Sequence, residues 1–336
     1  MSGRGGYLIR KVAWALVTIL VVITFNFVLF RVLPGDPAKS GLRDPRLNPA
    51  AVEALRERFG TDRPLFLDLE AGGNPFDSQY TAYLGALSRG DLGTSYAVRD
   101  APVASLIGQA LVNTLWLVLP SQVLAIVLGS ALGLVAAWRR GRALDAVALT
   151  FSLFMWSLPT FFLGILLLVA GANWFGLPTA GRISIGVEHA STWDAIWDVG
   201  RHLLLPTLTL TLVLLGEYML IMRSSVLDIF GEDYILTARA KGLSTFRIIR
   251  DHALRNAMLP MVTLIALNLG FTVSGAIQVE AVYSWPGLGA LTVSAVGNRD
   301  YPVLQGAFLL IAISVVVANL LAELVYGWLD PRVSEG

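Results

Sequence analysis

Long runs without a charge alternate with short polar connections along most of this chain. About 20 apolar residues, at about 1.5 Å of rise each, cross a bilayer core. Runs of that length fall at 12–30, 110–138, 146–170, 257–279 and 302–322, and 203–222 joins them with Glu217 near its end. The pattern predicts an all-α integral membrane protein with about six transmembrane helices. Arg4, Arg10 and Lys11 precede the first run as in a signal peptide. That run is longer than a signal core, and Arg31-Val-Leu-Pro34 is no small-residue cleavage site, so it reads as an uncleaved first helix.

Basic residues in short connections set orientation. They flank the first run, fill the turn at Arg139, Arg140 and Arg142, and recur at Arg223, Arg239, Lys241, Arg247, Arg250 and Arg255. Alternate short connections carry only Arg182 and Arg201, or Arg299, and the loop at 33–108 is mixed in sign and too long to count. Both termini and the 223–260 loop are therefore expected on the cytoplasmic side. Residues 1–105 give the first helix and an extracytoplasmic loop; 106–336 give a core of five helices with that cytoplasmic loop. In the outer loop, Asn48 can cap a helix with Pro49 at its first position, a body at 52–59 and a stop at Gly60. A second helix is expected around 80–87, ending near Gly90. Gly129 and Gly133 are spaced for close helix approach, and Pro120, Pro159, Pro206 and Pro260 lie in or at the ends of spans.

The 234–260 segment, YILTARAKGLSTFRIIRDHALRNAMLP, is the most informative part. It predicts two short helices about a break, the first at 232–241. Gly242 permits the positive φ that ends it, and Ser244 can cap the next. In the second, Phe246, Ile249, Ala253 and Ala257 fall on one face, and Arg247, Asp251 and Arg255 form a ladder of charges spaced by four on another. Taken alone, such a basic amphipathic segment fits a lipid-facing surface helix, the commoner case, as well as a coupling element for a partner.

Composition narrows the classes. The 336 residues are 55% hydrophobic and 15% charged, too apolar for an ordinary soluble domain, and a net charge of +1 offers nothing to nucleic acid. With no cysteine there is no disulfide or thiolate metal site, and His189, His202 and His252 lack ligand spacing. No metal or cofactor is expected in this chain. None of Lys11, Lys39 or Lys241 follows a glycine, so the phosphate-binding loop of an ATPase is absent.

An ordered set of short motifs runs through nearly the whole length. They are Pro34-Gly-Asp-Pro37, Gly90-Asp-Leu-Gly-Thr-Ser95, Leu158-Pro-Thr-Phe161, Arg239-Ala-Lys-Gly-Leu243, His252-Ala-Leu-Arg-Asn256, Ser284-Trp-Pro-Gly-Leu-Gly289 and Asp330-Pro-Arg332. With them the chain resembles the permease subunits of peptide and nickel importers of the ATP-binding-cassette (ABC) class, in particular the B-type subunit of dipeptide/oligopeptide permeases. The resemblance implies a type I ABC importer permease fold in the bacterial cytoplasmic (inner) membrane. It implies a second, C-type permease as heterodimer partner, one or two ABC ATPase subunits that bind ATP and Mg, and an extracytoplasmic substrate-binding protein. It also implies that Thr237, Ala238, Arg239, Ala240, Lys241, Gly242 and Leu243 form a coupling helix seated on the ATPase. The wider class carries Glu-Ala-Ala, three residues, then Gly, and later Ile-x-Leu-Pro. Here Ala238 and Gly242 match, Leu236 and Thr237 replace the Glu and first Ala, and His252 and Arg255 replace the Ile and Pro.

The resemblance implies a peptide as cargo, with nickel chelates or glutathione-like solutes as alternatives. Glu217 and Glu280 are the candidate pathway residues. A secondary transporter would need an intramembrane carboxylate, for which Glu217, Glu280 and Glu323 are the candidates. A membrane enzyme finds no Ser-His-Asp arrangement or metal pair, although Asp91 and His189 both lie in outer loops.

Overall fold

The structure is a computed structural model that describes residues 4–32, 63–66, 77–98, 101–272 and 276–329. The expected helix at 52–59 and the motifs at 34–37 and 330–332 lie outside these residues. The elements are α1 (Arg4–Val32), α2 (Gln79–Ser88), α3 (Val103–Trp138), α4 (Ala143–Ser157), α5 (Thr160–Phe175), α6 (Thr192–Ile229) and α7 (Asp233–Ala240). After these come α8 (Thr245–Ile248), a π-helical turn (Ile249–Ala253), α9 (Leu254–Thr272), α10 (Ile277–Val282), α11 (Leu288–Asn298) and α12 (Tyr301–Leu329). Among the described residues the only β pairing is one bridge between Thr94 and Pro102.

Four helices are long and apolar enough to cross a membrane among the described residues, five if the bent pair α4–α5 is one span. The run at 146–170 is therefore not one rod. Leu158 and Pro159 are extended, and α5 leaves α4 at 103°. Proline disfavours a helical conformation in the residue before it, and here the chain leaves the helix. Pro120, Pro206 and Pro260 instead stay inside continuous helices. The run at 257–279 is also divided, into α9 and the short α10.

The chain forms two compact units: Met1–Ala15, Ala110–Leu291 and Ser314–Gly336 make one, and Leu16–Gln109 with Thr292–Ile313 make the other. In the first, α3 and α6 approach backbone to backbone. A Cβ at Gly129 would lie 2.8 Å from the Leu215 carbonyl, and one at Gly133 2.5 Å from the Met219 carbonyl. Lipid is as apolar as leucine, so such close packing, more than water exclusion, holds helices together there. Around that seam Ala125, Tyr218, Met222, Ala257 and Met261 form one core cluster. Leu117, Leu205, Val279, Tyr283 and Trp285 form another.

The second unit explains one of the motifs and the expected helix near 80–87. Phe27 of α1 is buried among Phe66, Tyr80 and Tyr83, with Tyr80 5.2 Å away by ring centroids. Ser78 caps α2 by accepting from the Thr81 amide, so the expected helix near 80–87 is present. The Gly90–Ser95 motif folds onto Asp300: Ser95 Oγ donates to its carboxylate, as do the amides of Tyr96 (3.0 Å) and Ala97 (3.2 Å). Gly93 sits at φ +84, which lets the loop turn over that carboxylate.

Candidate functional site

The 230–257 segment builds a small scaffold of its own. Ile235, Ala238 and Ile248 are buried against one another, with Phe230 and Leu243 around them. The α7 helix ends where the glycine allows it to: Gly242 has φ +75, and its amide donates to the Arg239 carbonyl at 2.9 Å. The Leu243 amide reaches back to the Ala238 carbonyl at 3.2 Å. Ser244 then accepts from the Arg247 amide and starts α8. Of the seven candidate residues, Ala238 is buried and Leu243 half-buried, whereas Thr237, Arg239, Ala240, Lys241 and Gly242 are exposed. Arg239 stacks over the Phe230 ring at 5.5 Å, and Asn256 donates to the Tyr234 hydroxyl at 2.9 Å, tying α7 to α9.

The second half departs from the expected helix. The Leu254 amide bonds the Ile249 carbonyl, five residues back, so an extra residue is wound into this turn. Ile249, Ala253 and Ala257 are buried as the spacing requires, but Phe246 is 59% exposed and Ile248 takes the buried place. The π-turn offsets the faces before and after it, which a uniform 3.6-residue period cannot register. The charge ladder changes too. Asp251 pairs with adjacent Arg250 through bonds of 2.6 and 3.1 Å instead of with Arg247. Arg250 holds the Asp251 carboxyl below the usual carboxylate range, and Asp251 raises the guanidinium in return.

The ionisable groups on the long helices divide by how well they are held. Asp145, in the first turn of α4, accepts a two-pronged bond from Arg223 of α6 at 2.7 and 2.9 Å, and one from the Gly141 amide. Asp198 accepts from the Ser184 amide and hydroxyl, and lies 3.1 Å from His189 Nε2 and 3.4 Å from His202 Nδ1. Asp91 bonds the Gly93 amide. Glu323 pairs with Lys11 at 2.9 Å.

Glu280 is fully buried and accepts from Thr114 Oγ1 (2.7 Å) and the Ala290 amide (2.9 Å). The same Thr114 oxygen accepts from the Leu288 amide, and Trp285 Nε1 donates to the Asn113 carbonyl. The Ser284–Gly289 motif is thus the turn that wraps this carboxylate, with Ser284 at φ +48. Glu217 is half-buried and accepts from Asn268, which also donates to Tyr218; Gln122 donates to the same Tyr218 hydroxyl.

The sequence reading did not single out Asp145, Thr114, Asn268, Tyr218 or Gln122. Thr114, Gln122, Tyr218 and Asn268 are polar residues inside apolar runs and Asp145 abuts one, but their partners lie 50 to 166 positions away.

Long apolar helices interrupted by a compact basic loop define a multi-pass membrane protein. Residues 129–335 match the family of binding-protein-dependent transport system inner membrane components, and residues 6–118 match the N-terminal region of such membrane components. The chain belongs to this family, as an ABC importer permease of its peptide/nickel branch. The glutathione transport system permease proteins GsiC of Escherichia coli and Salmonella typhi are each 35% identical to it over 328 residues, 97% of this chain and 98% of theirs. A chain of the methionine ABC transporter MetNI, solved in inward-facing form, superposes with a TM-score of 0.53 at 18% identity. The likeness covers 67% of this chain and 96% of that one and concerns the type I fold alone. Such permeases work with ATP-hydrolysing and solute-binding partners, so the chain is a transport subunit and not an enzyme. The secondary-transporter reading falls with that.

Proposed function

We propose that this chain forms half of the translocation pathway of an importer for di- or oligopeptides. ATP hydrolysis by partner subunits would drive it by alternating access, with residues 237–243 as the coupling helix. The observation that carries this is the exposed Arg239–Gly242 edge on a buried Ile235–Ala238–Ile248 base. A rigid element with one wet basic face transmits a push to the helices on either side of it. The second permease is a C-type chain in a heterodimer. Both termini and the 223–260 loop face the cytoplasm, and residues 1–105 supply the first helix and the outer loop. Glu217 belongs to the pathway, and Glu280 acts there by holding the turn at 284–289.

Glutathione is the alternative cargo, supported by the GsiC relatives; it is itself a peptide, so the two readings share a chemistry. Gentle detergent extraction from the native membrane, with mass spectrometry of what accompanies the chain, tests the assembly. The expected result is a second multi-span permease and one or two ATP-binding chains. Repeated recovery of this chain alone overturns it.

A further inference from the structure

Glu217 is held more loosely than the other carboxylates described above. Asp145 has an arginine fork, Asp198 a serine and two histidines, Glu323 a lysine, and Glu280 a hydroxyl and an amide. Among the described residues no lysine or arginine lies within ion-pair distance of Glu217, which receives a hydrogen bond from Asn268 at 3.2 Å. It lies six residues before Arg223 on α6, about 9 Å inward along the axis. Its neighbours Gly216, Tyr218 and Met219 are buried, yet Val213, Glu217 and Ser224 recur at four and seven residues as a partly open strip, beside Leu220 packed on Ala136, Ala148 and Met219. A carboxylate on lipid is costly, so such a strip faces water or the interior of an assembly. Behind the carboxylate, the Asn268–Tyr218–Gln122 chain of hydrogen bonds joins α9, α6 and α3 and fixes its position.

We infer that Glu217 is the point at which the membrane route takes a cationic group of its solute, such as the ammonium of a peptide. This inference rests on the pathway reading proposed above. Asn268 orients the carboxylate and leaves lone pairs for a donor. A fixed negative charge in a low-dielectric wall concentrates cations and repels anions.

The test exploits the absence of cysteine from this chain. Val213→Cys, one turn from Glu217, is placed in the complex purified with its partners and reconstituted in liposomes. Cationic trimethylammonioethyl and anionic sulfonatoethyl methanethiosulfonates are compared, each rate normalised to that with a small free thiol and read on this chain by mass spectrometry. The expected preference for the cation is at least about tenfold, retained in Glu217→Asp and abolished in Glu217→Gln. No preference, or one unchanged by Glu217→Gln, overturns the assignment and leaves the pathway standing. Labelling by neither reagent until the protein is denatured removes the water route, and with it the pathway reading.

Discussion

Arg223 grips Asp145 with two parallel hydrogen bonds, Nε to Oδ1 at 2.7 Å and Nη2 to Oδ2 at 2.9 Å. The pair locks the first turn of α4 to α6, eleven residues ahead of the 234–260 segment. Asp145 is nearly sealed, with 6% of its side chain exposed. Arg223→Ala is therefore expected to cost about 3 kcal/mol, because it strands a buried charge, and Arg223→Lys to cost less while losing the fork. The double variant Arg223→Ala/Asp145→Ala should be milder than Arg223→Ala alone. Thermal unfolding of the purified complex, with Asp145→Ala as the other single variant, measures all four, and strict additivity would remove the claimed coupling.

Gly242 occupies φ +75 with open space where a Cβ would go, so conformation and not crowding restricts it. Gly242→Val should cost roughly 1–2 kcal/mol locally. We expect the variant to insert normally in the membrane but to hydrolyse ATP without matching uptake. Gly242→Asn, which tolerates the left-handed region, should keep most transport. Full uptake by the valine variant would sink the coupling role.

Arg239 and Lys241 lie on the exposed edge of the proposed coupling element. Their joint replacement by alanine is expected to lower recovery of the ATPase subunits with this chain in detergent. The loss should resemble that caused by raising salt in the wild-type complex, because exposed charges are screened within about 10 Å at 0.1 M. Equal recovery of the ATPase from both proteins at low salt counts against the assignment.

Gly287 makes room for Glu280: a Cβ there would lie 2.3 Å from the carboxyl carbon. Gly287→Ala should destabilise the complex strongly, since the carboxylate is held by Thr114 and the Ala290 amide and cannot swing away. Glu280→Ala leaves those donors unpaired, at about 1–3 kcal/mol each. In the double variant the alanine methyl enters vacated space, so its loss should fall below the sum of the two. Melting temperatures of the four proteins decide this, and simple addition would show that the two residues do not share the site.

Gly133→Ala tests the helix seam. Its Cβ would meet the Met219 carbonyl at 2.5 Å, and backbone yields less readily than a side chain. Overpacking of this kind costs typically about 1–3 kcal/mol. Reduced yield of folded complex, with normal synthesis, is the expected outcome.

Much of this architecture was legible along the chain. Apolar runs marked the long helices, Gly242 and Ser244 marked a stop and a start, and Gly129 and Gly133 marked a close approach. These are local rules: a bilayer demands length, a helix end demands a cap, and a seam demands small residues. The bend at Leu158–Pro159 was signalled by the proline, but three other prolines stayed inside helices, so neighbours and not the residue alone chose the outcome.

Local patterns along the chain are enough for the membrane class, the positions of most long helices and the motifs that identify the family. Tertiary structure decided which polar residues meet. It joined Asp145 to Arg223, Ser95 to Asp300, and Thr114 to Glu280, and it left Glu217 on a partly open strip. It also wound an extra residue into 249–253, turning Phe246 outward and giving Asp251 to Arg250. Helix formation is satisfied within a few residues. A buried charge must find its donors wherever packing brings them, often more than seventy positions away.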